Sequence, residues 1–283
     1  MLPRMPVPYR TAVYAHPAAP LHAARRIAMP DGALLATFVY GPEDAALDEL
    51  LAQDAVLVLH GNGGSHATYA AVIEDLCEKG LCVIAFDARA QGQSTRGTLP
   101  LSYELLAEDA VRVLDALNVG RVHVLGHSDG GIEALLLARD HAERVISLVA
   151  GGANLTPEGV VDDPAWDVEG SARTNRAWSA FMDEGELSDA IDPTLLPSAE
   201  EARLASELLQ LMLDEPHIDA ASLAAISCPV TVMVGEFDCI RDDETVAIFK
   251  AIPQARLVVV PECGHSIPRQ RPDAVVWALE QQL

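Results

Sequence analysis

Positive charge is scarce in this chain. Lys and Arg number 19 against 42 Asp and Glu, a formal net charge of −23 over 283 residues, and no basic cluster interrupts the deficit. Such a surface repels phosphates, which argues against nucleic acid and anionic membrane as partners. Long apolar runs are missing too. Residues 1–20 carry five prolines and no uninterrupted hydrophobic stretch, so neither a signal peptide nor a transmembrane helix is read there, and a cytoplasmic location is expected. The five cysteines are an odd number with no C-x-x-C, which excludes a disulfide framework and a zinc site and leaves small reduced thiols. No Gly-Lys-Ser/Thr follows a glycine loop, and His66 stands where a dinucleotide fingerprint starting at Gly61 needs its third glycine. No cofactor and no metal are therefore expected.

Half of the residues are hydrophobic, enough for a large core, and their spacing alternates between strand and helix. Residues 1–20 read as an irregular surface arm. His22–Met29 and Ala33–Tyr40 are strand-like around the turn Pro30-Asp31-Gly32, an antiparallel hairpin at a sheet edge. Residues 41–53 are an acidic connection or short helix. Ala55–Leu59, Cys82–Phe86, Arg121–Leu125 and Val145–Val149 are short apolar strands. Helices are expected near Tyr69–Lys79, Tyr103–Leu117 and Asp129–Arg139. This rhythm means a parallel sheet covered by helices, with ligands bound beyond the carboxyl ends of its strands. From 152 to 216 the strands stop. Helical patterns appear around Arg173–Met182 and after Ser198, where Glu201 completes a capping-box signature. The expected organisation is a core of residues 1–151 and 217–283 with a helical lid inserted at 152–216. Val230–Val234, Glu244–Ile252, Arg256–Val260 and Asp273–Gln281 then close the alternation as strand, helix, strand, helix.

One stretch organises the rest. Gly126-His127-Ser128-Asp129-Gly130 joins a predicted strand to a predicted helix and fits G-x-S-x-G. A strand turning sharply into a helix brings two backbones together, which the glycines permit. The apex residue, Ser128, is held strained with its hydroxyl above the sheet. A nucleophilic serine needs a base, an acid that orients it, and an oxyanion hole. On this arrangement acid and base follow the serine in chain order. Gly235-Glu236-Phe237-Asp238-Cys239 and Pro261-Glu262-Cys263-Gly264-His265-Ser266 follow the last two strands. They offer Asp238 as the acid, with Glu236, Asp242 and Asp243 as rivals, and His265 as the base. His127 adjoins Ser128 and diverges at the turn. His123 and His127 on one strand do not converge on a metal. The oxyanion donors expected are the backbone N–H of Asp129, at a helix N-terminus, and that of Asn62, in the glycine-rich loop His60–Gly64.

In this order and on these elements, HGNGGS, DARAQGQS, GHSDGG, GEFD and CGHS resemble the α/β-hydrolase-fold serine hydrolases with a helical lid, over residues 22–283. GHSDGG and Gly152-Ala153-Asn154 are similar to the valacyclovirase and proline-iminopeptidase-like branch. One departure is Arg89-Ala90, where relatives usually carry Arg-Gly. Asp87 and Arg89 are read as an ion pair holding that loop. The resemblance implies a mostly parallel sheet of about eight strands and hydrolysis of carboxylic esters of small molecules, with amides and thioesters as alternatives, through an acyl-enzyme on Ser128. The same fold and triad also serve lyases, cofactor-free haloperoxidases and ligand-binding signalling proteins. Asp129, Asn154 and Trp178 are the expected substrate-binding residues. Asp129, with a 152–216 segment holding 15 acidic and 3 basic side chains, is expected to favour a neutral or cationic acyl group, such as an aminoacyl ester whose ammonium reaches Asp129. Beyond a small-molecule ester, a second copy of the chain in a homodimer is the one partner considered.

Overall fold

The computed structural model describes residues 3–7, 14–161, 167–184, 192 and 196–283. Part of the arm, residues 1–2 and 8–13, and parts of the expected lid, residues 162–166, 185–191 and 193–195, lie outside the described residues. Eight strands, β1 (Leu21–Ala28), β2 (Leu34–Tyr40), β3 (Ala55–Leu59), β4 (Val83–Phe86), β5 (Val122–His127), β6 (Val145–Gly151), β7 (Val230–Phe237) and β8 (Ala255–Gly264), form one sheet. Their order is β1-β2-β4-β3-β5-β6-β7-β8. β1 and β2 are antiparallel at one edge, and β4 through β8 run parallel.

The strands alternate because both faces are covered. Leu57 points into one apolar core while Val56 and Val58 point into the other, and all five residues of β3 are buried. The core helices are α2 (Ala70–Glu78), α3 (Tyr103–Leu117), α4 (Asp129–Asp140), α7 (Asp242–Ala251), α8 (Ile267–Gln270) and α9 (Pro272–Glu280), with α1 (Leu47–Leu51) in the acidic connection. Ser102 caps α3 by accepting from the Leu105 N–H at 3.1 Å. The insertion between β6 and β7 contributes α5 (Val168–Glu184) and α6 (Ala199–Asp214), which pack on each other. The capping box is present: Ser198 and Glu201 exchange bonds at the start of α6. α5 starts five residues before the periodic apolar stretch, because its first turn is polar and solvent-facing and carries no hydrophobic signal. Among the described residues no helix is long and apolar enough to cross a membrane.

β7 and β8 run further than their apolar cores suggest. After a register shift they pair again at Phe237 and Gly264. The next residue on each strand is Asp238 and His265, so strand pairing alone delivers these two side by side.

The loop after β4 corrects one expectation. Asp87 and Arg89 do not pair with each other. Asp87 is fully buried, and its Oδ1 accepts from the backbone N–H of His66 at 2.9 Å and lies 2.8 Å from His66 Nδ1. Its Oδ2 accepts from the Gln93 N–H at 2.9 Å and the Tyr14 hydroxyl at 3.1 Å. Arg89 is buried as well; it forks onto Asp109 of α3 and donates through Nη1 to Asp31 at 2.7 Å. Desolvation opposes its charge, and the bonds to Asp109 and Asp31 overcome that, holding the guanidinium above its ordinary pKa. Sequence proximity suggested a local pair, whereas each ion found partners twenty or more positions away on other elements.

Ala90 has φ 61°. An L-residue in the left-handed region is strained by about 1–2 kcal/mol. Glycine removes that strain and returns about 0.4–1 kcal/mol through the entropy of the unfolded chain. Ala90→Gly is therefore expected to raise the midpoint of urea unfolding slightly; a lowered midpoint would contradict the strain argument.

Candidate active site

Ser128 sits between β5 and α4 with φ 57° and ψ −121°. Its conformation is enforced by contact. A Cβ on Gly126 would meet the Gly130 carbonyl oxygen at 2.0 Å, and one on Gly130 would meet the Leu59 carbonyl oxygen at 2.1 Å. Only two bare backbones pass here. The Ser128 N–H donates to the Gly151 carbonyl at 2.8 Å, tying the turn to β6.

The three residues expected as nucleophile, base and acid come together. His265 Nε2 lies 3.0 Å from Ser128 Oγ, and His265 Nδ1 lies 2.6 Å from Asp238 Oδ1. Asp238 also accepts from the Ile240 N–H at 3.0 Å and the Gly235 N–H at 3.3 Å. Burial pushes its pKa up, but the bonds from His265 and these amides prevail, so the carboxyl is held below its ordinary range. As the accepting ion it fixes the proton on Nδ1 and leaves the Nε2 lone pair aimed at the serine. For His265, burial acts to lower the pKa, and the hydrogen bond and charge of Asp238 outweigh it, so the imidazole is more basic than an isolated histidine. Its side chain is about a quarter exposed and stays within reach of solvent. The rivals for the acid are elsewhere: Glu236 accepts from the Glu262 N–H at 2.8 Å, and Asp243 pairs with Arg241. Asp242 opens α7 on an exposed surface.

His127 diverges from the serine, as expected, and has a task of its own. Its Nε2 lies 2.5 Å from the His265 carbonyl oxygen, and the two rings pack at 4.8 Å. Burial, and then the neighbouring His265, push its pKa down to about 3. It is a neutral donor that fixes the backbone bearing the base. Nothing in the motif signals this, because the acceptor lies 138 positions away.

The glycine-rich loop after β3 lies against the nucleophile. A Cβ on Gly61 would come 2.9 Å from Ser128 Cβ. His60 Nε2 accepts from the Ala88 N–H at 2.9 Å, so its Nδ1 carries the proton and donates to the Gly61 carbonyl at 2.9 Å. That bond sets the direction of the next peptide, which bears the Asn62 N–H. Asp129, at the first position of α4, presents an N–H that no preceding turn of helix engages.

The three residues expected to bind substrate all lie buried. Asp129 is 3% exposed. Its Oδ2 accepts from Asn62 Nδ2 at 2.7 Å and its Oδ1 from the Tyr103 hydroxyl at 2.9 Å. Burial lifts its pKa to about 6 against the pull of those two donors. Each oxygen thus accepts a hydrogen bond from within the protein. Asn154 is buried and donates to the Thr156 carbonyl at 2.7 Å. Trp178 is buried inside the α5–α6 pair, with Nε1 donating to the Pro197 carbonyl at 2.9 Å. A cavity of about 660 Å³ opens between α5, α6, the arm and the loops after β3 and β4, and neither Ser128, His265 and Asp238 nor Asp129, Asn154 and Trp178 line it. Gly63, Gly64 and Ser65 form part of its wall, and the Leu208 carbonyl, on another part, accepts from Asn62 Nδ2 at 3.1 Å. Among the described residues the one charged side chain in its lining is Glu201, which completes the capping box of α6.

A helix-covered parallel sheet with a strained serine beyond its strand ends and a His–Asp pair in reach defines a class of hydrolytic folds. The family model described as the alpha/beta hydrolase fold matches residues 54–272, and the chain belongs to that family. It is 40% identical over 99 residues to a putative carbamate hydrolase, RutD, of Caulobacter vibrioides, a match covering 34% of this chain and 36% of that protein. The first curated relatives are thus spanned over little more than a third of their length. The human serine hydrolase BPHL is 29% identical over 227 residues, covering 75% of this chain and 73% of its own. Among solved structures, an esterase from Thermogutta terrifontis is 26% identical with a TM-score of 0.65, covering 93% and 97% of the two chains.

The packing of Gly61 against the nucleophile gives a test. Gly61→Ala is expected to displace Ser128 and lower kcat by about a hundredfold, the cost of a misplacement near 1 Å, with the thermal midpoint little changed. An unaltered kcat would show that the loop yields freely.

Proposed function

We propose that this protein is a cofactor-independent serine hydrolase of small carboxylic esters. The observation that carries the reading is the Ser128–His265–Asp238 chain at a strained elbow, with hydrogen-bond distances of 3.0 and 2.6 Å. His265 Nε2 takes the Ser128 proton as Oγ attacks the acyl carbon. The backbone N–H groups of Asp129 and Asn62 stabilise the resulting oxyanion, each such donor being worth about 10²–10³ in rate. The imidazolium then protonates the leaving group, and the acyl-enzyme remains. Water, deprotonated by the same nitrogen, releases the acid and restores the serine. Asp238 holds the tautomer and stabilises the charged imidazole between the two proton transfers.

The names of the relatives support hydrolysis and leave the bond open. A carbamate hydrolase and an esterase differ in the leaving group, nitrogen or oxygen, and the same acyl-transfer sequence serves both. Oxygen esters are the reading adopted, because alcohols leave without the stronger acid assistance that amines need. α5 and α6 act as a lid over the cavity.

Ser128→Ala is expected to abolish turnover of short p-nitrophenyl esters while leaving the unfolding midpoint in place, and a fluorophosphonate should label Ser128. Labelling of a different serine, or full activity in the variant, would remove the assignment. The pH dependence follows from the protonation state the base requires. Only neutral His265 accepts the serine proton, so activity is lost as pH falls through its pKa. Asp238 raises that pKa, so the acid limb of kcat/KM is expected above the ordinary 6.5 of histidine. A limb at or below 6.5 would show that Asp238 does not tune the base.

A further inference from the structure

The loop that supplies Asp238 carries one side chain that the proton-transfer chain does not use. Cys239 is half-buried, and its thiol lies within 4.8 Å of a ring nitrogen of His265. One donor atom from each of Asp238, Cys239 and His265 lies within 4.8 Å of the others, and among the described residues these three form the one His/Cys/Asp/Glu group so clustered. The edges of a tetrahedron around Zn²⁺ measure about 3.3–3.8 Å for nitrogen and sulfur ligands. Side-chain rotations of about an ångström therefore bring the three donors onto one ion. The loop itself is held in place. The Val161 N–H donates to the Cys239 carbonyl at 2.7 Å, the Arg241 N–H donates to the Gly159 carbonyl at 2.8 Å, and Val160 pairs with Ile240. The Asp238 side chain is buried, while Cys239 is half-buried and the His265 side chain is about a quarter exposed, so an ion has a path in from their side.

We propose that Asp238, Cys239 and His265 form an inhibitory site for a thiophilic divalent cation such as Zn²⁺. The thiol S–H bond breaks, its proton leaves to solvent, and a sulfur–metal bond forms. His265 supplies the Nδ1 lone pair, the Nδ1 proton passing to Nε2 by tautomer exchange, Asp238 supplies a carboxylate oxygen, and water the fourth position. No electrons change hands. The occupied imidazole no longer takes the serine proton, and the carboxylate no longer orients it, so ester hydrolysis stops while the fold stays intact. The sequence excluded a zinc site for want of paired cysteines; this set needs one cysteine because strand pairing brings a histidine from the next strand beside it.

The binding half of this inference stands apart from the hydrolase reading, and the experiment keeps them apart. Cd²⁺ and Co²⁺ are titrated into the purified protein, and thiolate-to-metal charge-transfer absorption is recorded beside Zn²⁺ inhibition of p-nitrophenyl ester turnover. Wild type and Ser128→Ala should both give the band, the second without any turnover to inhibit. Cys239→Ala and the size-preserving Cys239→Ser should retain turnover, lose the band, and need at least about 10–100-fold more Zn²⁺ for half-inhibition. A band that persists in Cys239→Ala would assign the ligand to another cysteine and overturn the site. Unchanged Zn²⁺ sensitivity in both variants would overturn it equally. A band in wild type without ester turnover would keep the metal site and remove the hydrolase reading.

Discussion

The site depends on one close approach. β5 turns into α4 so tightly that Gly126 faces the Gly130 carbonyl, and Gly130 faces the Leu59 carbonyl of β3, at distances no Cβ would permit. The turn leaves Ser128 at φ 57°, a conformation that costs about 1–3 kcal/mol and persists only when its surroundings over-determine it. They do so here. The Ser128 N–H is bonded to β6, its carbonyl accepts from the Gly131 and Ile132 N–H groups of α4, and Gly61 closes over its Cβ. The strain is useful because it points the hydroxyl out of the sheet while its backbone stays part of the scaffold.

The surrounding loops are held by buried polar groups rather than by packing alone. The β4 loop is anchored twice, by Arg89 on Asp31 and Asp109, and by Asp87 on His66, Tyr14 and Gln93. Removing one member of a buried ion pair typically costs about 3–5 kcal/mol, because the partner is left charged and unpaired. That penalty makes these anchors hard to relax. His60 connects the two loops, accepting from Ala88 of the β4 loop and donating to Gly61 of the β3 loop. The geometry of the oxyanion loop is thereby tied to a network that begins at Asp31 on the far edge of the sheet.

What the sequence made legible was whatever is written locally. Strand alternation, the Ser198–Glu201 box and the elbow all depend on spacings of a few residues. Asp238 and His265 were legible for the same reason: each follows an apolar strand by a short loop, and a parallel sheet puts those loops on one edge. Illegible were the pairings across the fold. Asp129 looked like a free carboxylate beside the nucleophile because its neighbours in sequence are glycines. Its partners, Asn62 and Tyr103, are 67 and 26 positions away. Trp178 looked like a substrate contact because it is aromatic and sits in the insertion; it is consumed instead in holding α5 to the segment before α6. Arg89 was assigned the nearest acid in the chain, whereas in the fold it forks onto Asp109 and reaches Asp31, both distant in sequence.

Asp129 shows how the fold reconciles two opposed demands at one position. A carboxylate at the first turn of α4 complements the positive end of the helix and is worth about 0.3–1 kcal/mol. The same N-terminus is where an oxyanion would form, and a full negative charge beside it would oppose that. The structure answers by burying the carboxyl, which lifts its pKa to about 6, and by aiming the Asn62 amide and the Tyr103 hydroxyl at its two oxygens. Both donors direct positive dipole ends at the carboxylate and so offset part of its field. Burial lifts the next carboxyl on the same helix, Glu133, well above its ordinary range, with the charges of Asp129 and Asp109 adding to it. Burial thus acts against a second negative charge behind Ser128. The backbone dipoles of α4 remain available to the oxyanion, although the residue that opens the helix is an acid and the chain as a whole is strongly negative.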